Sequence, residues 1–379
     1  MRAGQFTDSY LPILNGVSTF VHLFKQTLEK FGHEPTVFTF GYTDRVEPGI
    51  VRSSGLPLGR TGYHVGLTYS QSAWALARTM DILHTHHPFA CGTLAARLSR
   101  QLNRPLVFTN HTRYDYYAQH YLPFLPQRAA LGLLGVWMRR FTQHCDLIIA
   151  VSAAAQTMLQ ALGVEAPIEI IPNGVDLQQF AQAGPAARSD LGVPAEAFVL
   201  MYVGRLGPEK NLSMLFEAFA HTARTASQAT LVLVGDGPQD GLARERAREL
   251  NLGDKVRFLG MRPYSEIPAL LGAADAFITA SITEGHPMTI IEALAAGRPV
   301  LAFDVPGIRE TVIDGENGLL APIDAAALGA RMATLASDTG LQARLSDGAR
   351  RSAVQYSMDI TTRRILDHYE RLLRERKAI

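Results

Sequence analysis

Short apolar runs alternate with amphipathic segments along most of the 379-residue chain. The first half includes the runs PTVFTFG and PLVFTNH, and the second half includes FVLMYVG and VLAF. Unbroken apolar runs followed by segments of helical periodicity are typical of strands buried on both faces of a parallel sheet. The pattern therefore predicts an α/β fold in which helices cover both faces of parallel sheets. Residues 42–68 show no clear pattern of this kind.

The alternation runs through two series, which a weakly patterned stretch separates. This stretch is rich in Ala, Gly and Pro and reads FAQAGPAARSDLGVPAEA. We predict two doubly wound parallel-sheet domains, residues 1–172 and 173–359, with a ligand-binding cleft between the carboxyl edges of their sheets. A charged amphipathic helix of about residues 360–379 is expected to pack back on the first domain.

Composition excludes several classes of protein. Hydrophobic residues make up 47% of the chain and charged residues 19%, which is typical of folded domains rather than of disorder. The net charge of +1 gives no indication of nucleic-acid binding. The two cysteines, Cys91 and Cys145, form no disulfide or metal pattern. Because the N-terminus lacks a signal-peptide pattern and no apolar run reaches about 18 residues, we expect a cytoplasmic protein without a membrane span.

Two glutamates, Glu284 and Glu292, stand eight residues apart in the run TEGHPMTIIEALAAGRPV. Gly285 and Pro287 keep the segment after Glu284 out of a helix, so we expect Glu284 at the mouth of a helix N-terminus and Glu292 about one turn inside. The free N–H groups of a helix N-terminus and its positive dipole end suit a polar or anionic ligand. From the spacing alone, an acid that stabilises the helix dipole plus an ordinary helical glutamate is the alternative.

Two cations follow the first apolar run of the second half, Arg205 directly after it and Lys210 where the next helix is expected to open. Two cations beside a helix N-terminus suit a diphosphate without a metal ion. Glu292 could accept hydrogen bonds from both hydroxyls of a ribose, and Glu284 could hold sugar hydroxyls. The absence of a P-loop sequence excludes P-loop NTPases, and the lack of Gly-x-Gly-x-x-Gly after the first strand counts against nicotinamide enzymes. The four residues together describe a nucleotide-sugar site.

Histidines and tyrosines cluster in the first half of the chain. His84, His86 and His87 end a strand pattern, and without a carboxylate ligand or regular i,i+4 spacing they predict polar strand-end residues rather than a metal site. The run NHTRYDYYAQHYLP, residues 110–123, suits contact with a ligand or partner, or else an amphipathic helix that packs its tyrosines. The basic and apolar helix pattern that follows could lie on an anionic bilayer or could be an ordinary domain helix.

Many of these runs resemble the retaining glycosyltransferases of the GT-B fold, in the family 4-like group that carries an E-x7-E motif. In the second half the resemblance rests on VGRLGPEKN, LVGDGP, RFLG with a downstream Asp275, and above all TEGHPMTIIEALAAGRPV. In the first half it rests on FTDSYLPILNGVSTF, FTNHT and IPNGVD, so the likeness covers nearly the whole chain. One departure is Pro306-Gly307, where many members have Gly-Gly, and it bears on the shape of one phosphate-side loop.

The resemblance implies two Rossmann-like domains that face each other, and it assigns the donor to the second of them. Arg205 and Lys210 would bind the donor diphosphate and stabilise the leaving group, while Glu292 would hold the ribose. The donor sugar would be held by Glu284 and the segment after it, namely Gly285, His286, Pro287, Met288 and Thr289.

The resemblance also implies roles outside this loop. Gly16 would let the N-terminal loop close over the phosphates, and the base pocket would lie around residues 260–264, with Gly260 and Arg262. His111 would face the transferred sugar. The acceptor would meet His111, Arg113, Tyr114 and Asp115, although Asp115 could equally be a helix-start cap.

The acceptor region is similar to that of family members that glycosylate diacylglycerol or related lipids. We therefore expect transfer of glucose from UDP-glucose to a lipid, by an enzyme peripheral on the inner, anionic face of the cell membrane. A double displacement would need a carboxylate on the face opposite the leaving group, and none is nominated. We expect front-face attack instead, in which the departing diphosphate takes the acceptor proton. No metal, other cofactor or nucleic acid is expected.

Other activities remain open at the level of sequence. A similar enzyme could use GDP-mannose and a soluble or phosphatidylinositol-type acceptor. A nucleotide-sugar epimerase of the same fold would release an altered sugar with no acceptor present. A non-catalytic module would bind the nucleotide without turnover, but the set of Arg205, Lys210, Glu284 and Glu292 argues against it.

Overall fold

The chain forms two compact units, each built around one mainly parallel sheet, which confirms the predicted α/β fold. Unit 1 consists of residues 1–174 and 358–379, and unit 2 of residues 175–357. The sequence-based boundaries, 172 and 359, each lie two residues away from these. The structure is a computed structural model that describes residues 1–57, 64–116 and 125–377.

Unit 1 holds an eight-stranded sheet and a separate two-stranded one. Its strands are β1 (Arg2–Phe6), β2 (Glu34–Gly41), β3 (Arg45–Glu47), β4 (Ile50–Ser54), β5 (Leu56–Pro57), β6 (His64–Val65), β7 (Ile82–Thr85), β8 (Leu106–Asn110), β9 (Leu147–Ala150) and β10 (Ile168–Ile170). The large sheet has the order β10-β9-β8-β7-β1-β2-β4-β3, and only its β3–β4 pair is antiparallel. Four strands, β3 to β6, therefore lie in the part of the chain that shows no sequence pattern.

Helices connect these strands. Those described before residue 174 are α1 (Gly16–Lys30), α2 (Gln71–Ala77), α3 (Ala90–Leu102), α4 (Gln127–Thr142) and α5 (Ala153–Ala161). A capping box starts α1, because the Asn15 side chain accepts from the Ser18 N–H and the Ser18 hydroxyl accepts from the Asn15 N–H. The apolar face of α1 then buries Phe20 and Phe24 against the sheet.

Unit 2 is a doubly wound six-stranded sheet. Its elements are α6 (Leu177–Gln182), β11 (Phe198–Val203), α7 (Leu212–Thr225), β12 (Ala229–Val234), α8 (Asp240–Glu249), β13 (Val256–Gly260), α9 (Ile267–Ala273), β14 (Ala276–Ile278), α10 (Met288–Ala295), β15 (Val300–Phe303), β16 (Gly318–Ala321), α11 (Ala325–Ser337) and α12 (Thr339–Ala353). The strand order is β13-β12-β11-β14-β15-β16, and every pair is parallel. The order reverses between β11 and β14, which is where open α/β sheets bind ligands.

The C-terminal helix, α13 (Met358–Lys377), belongs to unit 1 and packs there against α1. Lys30 of α1 lies 2.8 Å from Asp359, and Arg364 donates to the carbonyl oxygen of Ile170 at 2.7 Å. Tyr369 is fully buried. Because α13 crosses several elements of the unit 1 sheet, its side chains contribute to the interior of that unit.

Candidate active site

Lys210 and Glu284 form an ion pair at the carboxyl edge of the unit 2 sheet. Lys210 follows β11 and Glu284 follows β14, the two strands between which the order reverses. Nζ of Lys210 lies 2.6 Å from Oε1 of Glu284. The pair is therefore at the position where a doubly wound sheet binds its ligand.

Each member of this pair keeps the other charged. Burial raises the pKa of the Glu284 carboxyl, but the Lys210 ammonium and a hydrogen bond from Ser281 outweigh burial, and the pKa ends below its usual value. Burial likewise lowers the pKa of Lys210, whereas the Glu284 carboxylate raises it, and the net shift is upward. Glu284 is therefore an ionised hydrogen-bond acceptor at neutral pH rather than a proton donor.

Arg205 and Lys210 share one loop but differ in their surroundings. The Arg205 side chain is 57% exposed and pairs with Glu209 at 2.9 Å, while the Lys210 side chain is 23% exposed. Lys210 does not open a helix as the sequence suggested. It closes a 3₁₀ turn, and the left-handed conformation of Asn211 (φ 52°) separates that turn from α7. This break leaves Lys210 beside Glu284 instead of on the helix.

Glu292 is buried in α10, the helix after Glu284. It is the fifth residue of α10, about one turn inside, as the sequence predicts. The residue is 3% exposed, and burial raises the pKa of its carboxyl to about 7, although the neighbouring Tyr264 hydroxyl partly offsets the rise. Among the described residues, no cation offsets it further. The two glutamates thus differ: Glu284 is held as a carboxylate, and Glu292 titrates near neutral pH.

The loop between the two glutamates is closely packed. His286 is buried, which lowers the pKa of its ring to about 4, and the ring lies 5.5 Å from that of Tyr356. Gly307 has φ +83°, and a Cβ there would overlap the carbonyl oxygen of Glu284, so glycine is required. Pro306 leaves this close approach intact. Gly285 and Pro287 lie in the loop, and α10 begins with Met288 and Thr289. The N–H groups of these two helix residues have no acceptor within the helix.

The predicted base pocket lies at the end of β13. Gly260, the last residue of β13, has φ +68°. Arg262 lies 3.7 Å from Glu266. Tyr264 is close enough to Glu292 for each group to influence the pKa of the other. The structure therefore places Tyr264, the last residue of the predicted pocket, beside Glu292 in unit 2.

His111 follows β8 in unit 1 and contacts other polar side chains of that unit. Its Nε2 lies 3.1 Å from Nδ1 of His86, and its Nδ1 lies 3.2 Å from Oδ1 of Asn173. The ring of Phe20 packs on it with a centroid distance of 4.8 Å. The orientation of His111 is therefore set by its neighbours in unit 1.

The three histidines lie at the end of β7, with His84 in the strand and His86 and His87 directly after it. His84 and His86 are fully buried, and His87 is 9% exposed, so they lie inside unit 1 and not at its surface. Over the ranges 1–57, 64–116 and 125–377, no group of three or more His, Cys, Asp or Glu side chains is arranged to hold a metal ion. The first two histidines instead form hydrogen bonds with Tyr369, Gln5 and other side chains.

The side chains that follow His111 differ in their contacts and in their burial. Arg113 donates to both carboxylate oxygens of Asp115, at 2.9 and 2.7 Å, and stacks on the Tyr116 ring at 4.6 Å. Tyr114 is 4% exposed and packs on Phe89 at 5.4 Å. Arg113 therefore holds Asp115, while Tyr114 is an interior residue. Residues 117–123 of the same predicted acceptor segment lie outside the described residues.

Gly16 is the first residue of α1 rather than a loop residue just before it. It is exposed, and Asn15 and Ser18 form the capping box around it. An exposed glycine at a helix start permits close approach of a ligand, which is compatible with the implied phosphate contact.

One face of α4 presents apolar side chains to solvent. Leu133, Val136 and Trp137 are 55%, 42% and 44% exposed, and Arg140 is exposed one turn further along the same face. Beside this helix lies a groove of about 410 Å³, lined by Leu131, Met158, Leu162, Arg139 and Asp115. Large apolar side chains that share one exposed helix face with an arginine are typical of helices that lie on anionic membranes.

Comparison with known proteins shows the family to which the chain belongs. The family model described as Glycosyltransferase Family 4 matches residues 14–179, and the one described as Glycosyl transferases group 1 matches residues 185–352. An alpha-monoglucosyldiacylglycerol synthase from Streptococcus pneumoniae is 31% identical over 84% of this chain and 75% of its own. The chain belongs to the family 4 glycosyltransferases. This enzyme is thus a GT-B glycosyltransferase.

Two further comparisons extend over almost the whole enzyme. A phosphatidyl-myo-inositol mannosyltransferase from Mycobacterium leprae is 27% identical over 98% of this chain and 96% of its own. The structure of Anabaena HepE in complex with UDP matches with a TM-score of 0.76, at 24% identity, over 98% of this chain and 100% of that one. The fold is therefore shared from end to end. In the part of this glycosyltransferase that the structure describes, no helix has the length and apolar character of a membrane span.

Three further residues adjoin the predicted site residues without a signal of their own in the interpreted pattern: Glu209 pairs with Arg205, and Gln5 and Tyr369 connect to His111 through His86. Gln5 lies inside an ordinary strand pattern and Tyr369 inside an ordinary helix pattern. Nothing local indicates that the two side chains meet, because 364 residues separate them. Glu209 lies in the quoted run VGRLGPEKN, and its i,i+4 spacing from Arg205 could have identified it.

Proposed function

We propose that this glycosyltransferase transfers glucose from UDP-glucose to a hydroxyl of diacylglycerol or a related lipid, with retention of the anomeric configuration. The observation that carries the proposal is the Lys210–Glu284 ion pair where the strand order of unit 2 reverses. A cation next to a hydroxyl-binding carboxylate suits a sugar attached to a diphosphate. The name of the Streptococcus relative, a glucosyldiacylglycerol synthase, supports the choice of sugar and acceptor.

The two glutamates have separate tasks in this proposal. The Glu292 carboxyl accepts hydrogen bonds from the two ribose hydroxyls, and its neighbour Tyr264 belongs to the pocket for the base. Glu284, ionised by Lys210, accepts from the glucose hydroxyls, with help from the backbone N–H groups of Gly285, His286 and Met288. Neither glutamate exchanges a proton with the substrate. Both hold the donor.

Transfer proceeds by front-face attack. The acceptor hydroxyl approaches the anomeric carbon from the side on which UDP leaves, the bond from that carbon to the diphosphate oxygen breaks, and the diphosphate takes the hydroxyl proton. Lys210 and Arg205 stabilise the negative charge that develops on the leaving diphosphate. His111 contacts the glucose and helps to orient it. The step needs no metal or other resident cofactor, since the two side-chain cations supply the positive charge.

The exposed face of α4 supports a membrane acceptor. Trp137 and its apolar neighbours would enter the interface of an anionic bilayer, and Arg140 would contact lipid phosphates. The enzyme would then work as a peripheral protein on the inner face of the cell membrane. The apolar groove beside α4 is a suitable place for an acyl chain of the acceptor, next to Asp115.

One assay tests donor and acceptor together. The enzyme is incubated with UDP-glucose or GDP-mannose, with and without diacylglycerol or phosphatidylinositol, and nucleotide release and sugar products are followed. We expect glucosyl-diacylglycerol from the first donor and acceptor, with the α-linkage visible by NMR. A mannosylated phosphatidylinositol would favour the second candidate, which the Mycobacterium relative suggests. An altered free sugar without an acceptor would contradict transfer altogether.

A second experiment tests whether transfer proceeds by front-face attack. Glu284→Gln removes the only carboxylate that the proposal places at the sugar, and we expect slow turnover with no covalent adduct. A matched control is Glu249→Gln, an exposed glutamate of α8 that pairs with Arg246. A covalent glucosyl-enzyme trapped by mass spectrometry in Glu284→Gln would contradict front-face attack.

A further inference from the structure

A continuous chain of hydrogen bonds begins at the end of β8 and reaches the C-terminal helix. The hydroxyl of Thr109 lies 2.6 Å from Nε2 of His84, and Nδ1 of His84 lies 2.5 Å from the hydroxyl of Tyr369. The side-chain nitrogen of Gln5 donates to the same hydroxyl at 3.4 Å. Tyr369 therefore links His84 to Gln5.

The chain continues from Gln5 to His111. Oε1 of Gln5 lies 2.9 Å from Nε2 of His86, and Nδ1 of His86 lies 3.1 Å from Nε2 of His111. The chain of hydrogen bonds ends at the side-chain amide of Asn173, whose Oδ1 lies 3.2 Å from Nδ1 of His111. One unbroken path thus joins α13 to His111.

The path is enclosed by unit 1. Gln5, His84, His86 and Tyr369 are fully buried, and only His111 reaches partial exposure. The rings of Phe20 and Phe24 cover the histidines from α1, at 5.9 Å from those of His86 and His84. Because water has no access to these four buried side chains, each of them depends on its neighbours in the chain for hydrogen bonds.

Burial keeps His84 and His86 neutral, and their hydrogen bonds then determine which ring nitrogen carries the proton. Burial is the main cause that lowers the pKa of His84 and His86 well below the usual value. A neutral imidazole has one N–H and one acceptor nitrogen, so the proton position on one ring dictates that on the next. The Gln5 amide donates to Tyr369 and accepts from His86, which puts the His86 proton on Nε2. Nδ1 of His86 then accepts from Nε2–H of His111, which leaves Nδ1 of His111 as an acceptor. Because the oxygen and nitrogen of a side-chain amide are assigned from the hydrogen-bond network, we assign the nitrogen of the Asn173 amide to the position 3.2 Å from Nδ1 of His111.

We propose that Gln5 and Tyr369 are positioning residues that fix the tautomer and ring orientation of His111 for sugar transfer. The proposal rests on the proposed function, in which His111 contacts the transferred glucose. Neither residue needs to touch a substrate, because both act through His86. The terminal helix α13 therefore takes part in transfer although it carries no group of the donor site.

The test removes one hydroxyl from the chain. Tyr369→Phe keeps the ring but breaks the link between His84 and Gln5. We expect kcat for transfer to fall on the order of tenfold while the KM for the donor stays unchanged, because only the orientation of His111 is affected. The matched control is Tyr69→Phe, a buried tyrosine of the same unit that lies outside the chain. Equal kcat in both variants would overturn the proposal.

A spectroscopic measurement decides the case independently of activity. With ¹⁵N-labelled histidine, we expect His86 and His111 each to show one tautomer protonated at Nε2 in the wild type and in Tyr69→Phe. Tyr369→Phe should give mixed tautomers at one or both rings. If Tyr369→Phe fails to fold, Gln5→Met breaks the same chain one link further on. Unchanged histidine signals overturn the proposal, whereas absence of glucose transfer in the wild type overturns only the proposed function.

Discussion

The polar side chains of the two candidate sites differ in charge and in burial. In unit 2, cations and carboxylates pair at the sheet edge, Lys210 with Glu284 and Arg205 with Glu209. In unit 1, the side chains around His111 are neutral, and burial keeps His84 and His86 from taking up a proton. One site holds full charges close to the surface, and the other holds a neutral hydrogen-bonded chain in the interior.

This difference separates charge stabilisation from orientation. A leaving diphosphate develops negative charge, and fixed cations stabilise it best when no reorganisation is needed at the moment of reaction. The sugar and the acceptor hydroxyl carry no net charge, so groups that meet them need direction rather than charge. A neutral chain of hydrogen bonds supplies direction without the cost of a buried charge. The following changes should affect one site and leave the other intact.

The largest effect is expected from Lys210→Ala. The variant removes the less exposed of the two cations and leaves Glu284 without its partner, so kcat should fall by on the order of 10³-fold, comparable to the loss of one group that stabilises transition-state charge. Measured kcat and KM for UDP-glucose test this expectation. A matched control is Lys255→Ala, which removes an ammonium that donates to the backbone oxygen of Ala223.

The same variant also has a signature in stability. An ionised Glu284 without a partner is costly, so Lys210→Ala should lower the melting temperature, and adding Glu284→Gln should restore part of the loss. Both effects should be confined to unit 2, and the histidine signals of unit 1 should not change. A Lys210→Ala variant with wild-type kcat would remove the contrast between the sites.

Glu292→Gln should show a pH-dependent effect of intermediate size. Burial raises the pKa of Glu292 from 4.5 to about 7, so between these values the folded protein binds a proton that the unfolded chain has lost. The stability contributed by this group is present below about pH 4.5 and is lost as the pH rises through 7. The loss is on the order of 3 kcal/mol.

Calorimetry of the ligand-free enzyme at two pH values tests this sign. Glu292→Gln should melt higher than the wild type at pH 8, whereas at pH 5 the difference should be small. Glu266→Gln, an exposed glutamate of the same unit, provides the control. The same difference at both pH values would show that Glu292 does not titrate near neutral pH.

Much of the fold could be predicted from the sequence because the buried strands are local signals. Runs such as FVLMYVG and VLAF are apolar along their whole length, and β11 and β15 lie where those runs predict strands. The strands β3 and β4 are not predicted from the sequence, because β3 is mostly exposed and β4 is defined by its register with β2. Lys210 was assigned to a helix because its sequence gives no indication that Asn211 takes a left-handed conformation.

The candidate site was predictable where neighbours in space are also neighbours in a motif. Glu284 and Glu292 flank one loop, and their positions before and inside α10 follow from Gly285 and Pro287. The pKa difference between the two glutamates was not predictable, since it depends on burial and on Lys210, which lies 74 residues before Glu284. The same holds for the chain from Tyr369 to His111, whose four members come from four separate segments. Tertiary packing alone brings such residues together.

The smallest effect is expected on the acceptor side, from Arg140→Ala on α4. Arg140 is exposed on the face that carries Trp137, and an arginine near an anionic membrane surface contributes about 1 kcal/mol, or roughly fivefold in binding. We expect weaker co-sedimentation with vesicles of anionic lipid, a larger difference at low salt than at high salt, and an unchanged KM for UDP-glucose. Arg224→Ala, an exposed arginine in the last turn of α7, is the matched control. Wild-type binding of Arg140→Ala at low salt would contradict an electrostatic contact between Arg140 and the membrane.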